Sequence, residues 1–229
     1  RIKKVTSPNS VEDSSSSTED RIIRHKGLDR VYHWTMALSV FILMGTSFLP
    51  ILGLKFPWVT VHWVAGVVLS IIVVIHIIRA LFWQDRTAMG IGLADIKRAM
   101  QSIKWVLRAR TLPPDLPGKY PLLQKLYHHA IAALILALIG TGGVMLAKID
   151  TPFWQRNPYM LSADSWGWIY VVHDFAAMAV VSMVLIHIYF GIRPEKLWIT
   201  RSMLLGWITR SDYAKHHDPD LWVQEDDQT

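Results

Sequence analysis

The 229-residue chain reads as all-α: an integral membrane four-transmembrane-helix bundle with cytoplasmic N- and C-terminal extensions. Three observations predict this. Four apolar runs, at about residues 31–49, 60–82, 127–147 and 168–190, each approach the roughly 20 residues that cross a bilayer as helix. Of the 24 Lys and Arg residues, only Lys55, Lys148 and Arg156 lie in the first and third connections. Cytoplasmic flanks carry excess Lys and Arg, so both termini and the middle connection are expected on the cytoplasmic side. Finally, histidines recur inside the apolar runs at matched depths.

Residues 1–20 are Ser-rich and nearly without large apolar side chains, the composition of a disordered tail. The segment IIRHKGLDR then leads into span one, which Pro50 ends. That span follows about thirty polar residues and has no small-residue cleavage site, so it reads as a span rather than a signal peptide. Trp58 and Trp63 suit the aromatic belt at the periplasmic surface. Beyond span two, Ile96, Met100, Ile103 and Leu107 recur at helical spacing, with Lys97, Arg98, Lys104 and Arg108 off that stripe. This predicts an amphipathic helix, lying on the membrane surface or packed on a partner. TLPPDLPGKYP breaks it. Span three contains Gly140, Gly142 and Gly143, which suit either close helix packing or the approach of a flat cofactor. Residues 21–193 therefore form the transmembrane domain. After it, RPEKLWITRSMLLGWITR reads as one cytoplasmic helix, and residues 194–229 end in an acidic tail.

The net charge of +6 is thus topological, and no folded basic domain remains that would bind nucleic acid. The chain has no cysteine, which removes disulfides, thiolate-held Fe–S clusters and covalent c-type haem. Any cofactor must be held by histidine, methionine or carboxylate.

Histidine carries the chemistry. His62 and His76 in span two, and His173 and His187 in span four, stand fourteen residues apart. Fourteen helical residues rise roughly 21 Å in nearly four turns, so both members of a pair face one way. Ionisable residues inside a span are costly and mark functional sites. Sorted by depth, His62 and His173 share the periplasmic level, and His33, His76 and His187 share the cytoplasmic one. His128 and His129 start span three, nearer the cytoplasmic surface. Facing imidazoles in a bundle can clamp a porphyrin, and no single metal ion bridges ligands about 21 Å apart. Haem is the candidate cofactor, with His62–His173 as one ligand pair and two of His33, His76 and His187 as the other. A histidine-lined metal or proton transporter is the alternative of another class. It would want buried carboxylates, whereas the one acid inside a span, Asp174, points away from His173.

Several landmarks together resemble a known family: DRVYHW, VHWVAG with Arg79 beyond it, GKYPLLQK, VVHD, LIHIYF and GWITRSDYAKHHDP. Over approximately residues 21–223 the chain resembles the γ (cytochrome b) subunit of membrane-bound formate dehydrogenases. That family is related to the b-type cytochromes of Ni-Fe hydrogenases and to bacterial cytochrome b561. The resemblance implies two b haems, held by His62 with His173 and by His33 with His187. His76 is then an extra histidine, available for packing on the haem, for quinone or as a substitute ligand. It further implies a menaquinone or ubiquinone site beside the cytoplasmic haem, near residues 119–125, where Gln124 fits the family pattern and His128 is close. Pro121 and Leu123 depart from it, standing where members carry Asn and Gly. Arg30, Arg79 and Arg193 become candidates for haem propionates or lipid phosphates. The partners implied are an Fe–S β subunit and a molybdenum or tungsten α subunit, in a bacterial inner-membrane complex. A hydrogenase cytochrome or a free-standing b561-type protein is the nearest alternative.

Overall fold

In a computed structural model the chain is described over residues 21–83, 86–107 and 115–222. The Ser-rich tail, Arg108, the TLPP part of the helix-breaking segment and the last seven residues lie outside that range. Among the described residues, four helices are long and apolar enough to cross a membrane: α1 (Gly27–Phe48), α2 (Trp58–Phe82), α5 (Leu122–Met145, continued by a 3-10 turn Leu146–Lys148) and α6 (Ala163–Ile192). Two shorter helices, α3 (Arg86–Met89) and α4 (Leu93–Leu107), lie between α2 and α5.

The stretch VTVHWVAGVVLSIIVVIHII is rich in β-branched residues, yet it is helical. Hydrocarbon offers backbone amides no outside partner, so a helix that satisfies them internally overrides side-chain preference. The start of α6 is capped by Ser162, whose oxygen accepts from the Ser165 amide, with Asp164 in the first turn to complement the helix dipole.

Helix α1 packs along α2 and α5 along α6, giving two antiparallel hairpins that meet each other far less extensively. Buried residues within the four helices are few, and several are small, among them Ser39, Thr46, Ala65 and Ala176. Helix α4 is where the periodicity placed it, and its apolar stripe stays exposed: Ile96, Met100 and Ile103 are about half-exposed. It is tied down by Asp95, which bonds Lys125 at 3.0 Å and Arg98 at 3.0 Å and accepts from the Gly92 amide.

The segment after span four departs from the single helix expected. A 3-10 turn (Pro194–Lys196) leads into α7 (Leu197–Leu205), a strand β2 (Trp207–Thr209) and α8 (Arg210–His216). The break is at Gly206, whose φ of 96° ends α7 in a left-handed cap. Its carbonyl accepts from the amides of Arg24 and His25 at 2.9 and 3.0 Å. A Cβ there would stand 3.0 Å from both Arg30 Nη1 and the His25 carbonyl oxygen. Just upstream, strand β1 (Arg21–Ile23) pairs antiparallel with β2, Ile22 opposite Ile208. Both ends of the described chain therefore sit together at one end of the bundle, hereafter the terminal end. There Arg24 is buried, its Nη1 2.8 Å from His217 Nε2 and its Nη2 donating to the Lys119 carbonyl, with Trp198, Trp222 and Tyr120 around the guanidinium.

Candidate haem site

The histidines fall at two levels. Near the terminal end, His33 of α1 and His187 of α6 face each other with ring centres 6.2 Å apart. Two iron–nitrogen bonds of about 2 Å, plus the offset of each nitrogen from its ring centre, would separate coaxial imidazoles by about 6 Å. Tyr127 of α5 stacks on His187 at 5.5 Å, and its hydroxyl donates to the Met183 carbonyl. Trp34 meets His33 edge-on. The Nδ1 atom of His33 is buried without a hydrogen-bond partner among the described residues, as is that of His76.

His76 is elsewhere at this level. Its ring lies 6.2 Å from Tyr32 and 6.3 Å from His128, which in turn touches His129. Arg79, one helical turn on, pairs with Asp29 and lies over the Tyr32 ring. The fourteen-residue symmetry of span two thus does not carry into space, because α1 inserts its own histidine opposite His187.

At the other level lie His62 of α2 and His173 of α6. Each has a hydroxyl partner that the sequence reading missed. His62 Nδ1 is 2.8 Å from Thr46 Oγ1 of α1, and His173 Nδ1 is 2.8 Å from Thr141 Oγ1 of α5. A Cβ on Gly142 would lie 3.4 Å from the His173 ring, whereas Gly140 and Gly143 have open space beside them. One signal was available: both threonines sit in apolar spans at the depth of the histidine they meet.

Of the three candidate arginines, each has a partner within the chain. Arg30 donates to the Leu204 carbonyl at 3.0 Å, Arg79 pairs with Asp29, and Arg193 pairs with Glu195 at 3.1 Å on the exposed surface. Gln124 lies in the first turn of α5, half-buried, one turn before His128. Asp174 is exposed, on a different side of α6 from His173.

The residues fit a bis-histidine haem. In each depth-matched set one imidazole comes from either hairpin, and no cysteine offers covalent attachment. Fold and donor set together define a membrane-embedded b-type cytochrome. The family described as prokaryotic cytochrome b561 matches residues 24–206, and the chain belongs to it. Haem b is the cofactor that this membership implies. The chain is 29% identical over 223 residues to the "Formate dehydrogenase, cytochrome b556(fdo) subunit" of Escherichia coli (strain K12), covering 90% of this chain and 93% of that one. It is 24% identical over 227 residues to the "Formate dehydrogenase, cytochrome b556 subunit" of Haemophilus influenzae, covering 92% and 85%. A "Probable Ni/Fe-hydrogenase B-type cytochrome subunit" of Bradyrhizobium diazoefficiens is 24% identical over 213 residues, covering 77% and 81%.

Proposed function

We propose that this protein is the dihaem cytochrome b anchor of a formate dehydrogenase-type complex, carrying electrons from a periplasmic Fe–S subunit to membrane quinone at the cytoplasmic side. The observation that carries the reading is the meeting of His33 and His187 across the two hairpins, 6.2 Å between ring centres, in a bundle with a second histidine pair one level away. His62 with His173 holds one haem and His33 with His187 the other. Bound there, the haems supply one-electron transfer.

The protein's own contribution is to fix the imidazoles, exclude water and tune the sites through neighbouring groups. Tyr127, stacked on His187, restrains that ring. Gln124 and His128 lie beside the His33–His187 level, and with His76 they are the candidates for quinone contact and proton delivery. Both termini lie on the cytoplasmic side, by the concentration of Lys and Arg at the terminal end. The partners are an Fe–S subunit and a molybdenum or tungsten catalytic subunit. Likeness reaching 93% of the Escherichia coli formate dehydrogenase subunit, against 81% of the hydrogenase cytochrome, supports this branch over the hydrogenase alternative.

The test is re-oxidation of the dithionite-reduced full chain by a water-soluble quinone analogue. Rapid re-oxidation that slows when Gln124 or His128 is replaced by Ala is expected. A chain that stays reduced in excess quinone would rule out the quinone-linked role.

A further inference from the structure

We infer that Thr46 and Thr141 are positioning residues: each holds its neighbouring histidine in the tautomer that leaves Nε2 free to bind iron, and together they lower the reduction potential of the site at that level. The inference rests on the reading of His62 and His173 as haem ligands.

A hydroxyl has one proton to give. Thr46 donates its proton within its own helix, to the carbonyls of Ile42 and Leu43, both at 2.9 Å. Thr141 does the same, to Ala137 at 2.7 Å and Leu138 at 3.3 Å. With that proton engaged, each oxygen is left to accept from the imidazole. The 2.8 Å contacts then place the proton on Nδ1 of His62 and of His173, which leaves Nε2 with a bare lone pair for a metal.

The device occurs twice, once in each hairpin. Helix α1 supplies the acceptor for α2, and α5 supplies the acceptor for α6. Each threonine is anchored by its own backbone, so neither depends on the contact between hairpins. Such outer partners orient ligating histidines and raise their basicity. A more electron-rich imidazole stabilises ferric over ferrous iron, which lowers the potential. At the other level His33 Nδ1 has no such acceptor among the described residues. The two levels are thus unequal, in the sense that favours electron movement from the His62–His173 level toward the His33–His187 level.

Thr46→Val and Thr141→Val remove the acceptor at nearly constant shape. Thr46→Ser and Thr141→Ser keep the hydroxyl and remove the methyl. In the full chain, redox titration of the haem absorbance is expected to show one of two components moving positive in each Val variant and further in the double. The second component should stay in place, and the Ser variants should match the parent. Haem affinity at the affected site should fall about 10-fold or more in the Val variants. Silent Val variants alongside disturbed Ser variants would assign the threonines to packing and overturn the inference. Should the Val variants lose the haem altogether, the Ser variants decide: a retained, unshifted component supports the role, and loss there too contradicts it. His62→Ala separates the two readings. Loss of one haem sustains the ligand assignment whatever the threonines do, while retention of both would overturn the ligand assignment and the inference with it.

Discussion

His33 and His187 come from the first and the last membrane-crossing helix, yet their rings stand 6.2 Å apart. His76, which pattern symmetry would set opposite His187, meets Tyr32 and His128 instead. Replacing His33 or His187 by Ala should reduce the haem content of the purified chain by one per polypeptide, whereas His76→Ala should leave it unchanged. Pyridine haemochrome assay against protein concentration reads the difference directly. Loss of haem on His76→Ala alone would transfer the ligand role to His76.

Lys125 and Asp95 form a buried ion pair, their side chains 9% and 11% exposed, and they fasten α4 to the base of α5. Burial pushes the Asp95 carboxyl upward, but the Gly92 amide, Lys125 and Arg98 outweigh it and hold the group below its ordinary value. Lys125→Met should leave that carboxylate with only Arg98 and Gly92, at a cost of about 1–3 kcal/mol. Hydrogen exchange across α4 should rise in the variant, while the transmembrane helices keep their protection.

His217 accepts from Arg24 through Nε2 and donates from Nδ1 to the Gly118 carbonyl, so only its neutral form satisfies both bonds. Burial, reinforced by the Arg24 and His216 charges, lowers its pKa to about 4, and burial beside Arg24 and Lys119 does the same for His25. Both pKa values are depressed relative to the unfolded chain, so the terminal clasp is at full strength above about pH 6.5. It weakens as pH falls from there toward 4, where the unfolded form binds more protons. Exchange of the Arg24 and His25 amides, corrected for its intrinsic pH dependence, should accelerate over that window. His217→Gln should reduce the response to the part that His25 contributes.

Gly206→Ala should loosen the same clasp from another direction. A side chain at φ 96° costs about 1–2 kcal/mol, and the added carbon meets Arg30 Nη1 and the His25 carbonyl at 3.0 Å. Limited proteolysis should then cut near residue 206 under conditions where the parent chain is resistant.

Much of this architecture was legible in the sequence because lipid imposes a simple rule: a span must be apolar for its whole length. The histidines stood out for the same reason, as costly groups at repeated depth. What escaped was pairing between distant segments. Strands of three residues, Arg21–Ile23 and Trp207–Thr209, have no local periodicity to find and owe their existence to each other. Gly206 lies inside a segment that reads as one helix, and the break there shows only in its positive φ and its packing against Arg30 and His25. Thr46 and Thr141 offered only their depth as a signal, because threonine in a membrane helix ordinarily bonds its own backbone, as both do here in addition to meeting a histidine. Depth alone does not choose between His33 and His76, and at the level of sequence the preference for His33 came only from the family resemblance.

The central claim is that this single chain holds two b-type haems between its hairpins. A dithionite-reduced minus oxidised spectrum of the purified full chain, combined with haem and protein quantitation, measures it. The expected result is b-type absorption bands and two haems per polypeptide. A spectrum without b-type bands would contradict it outright, and a ratio of one would remove the second histidine pair from the haem-binding role.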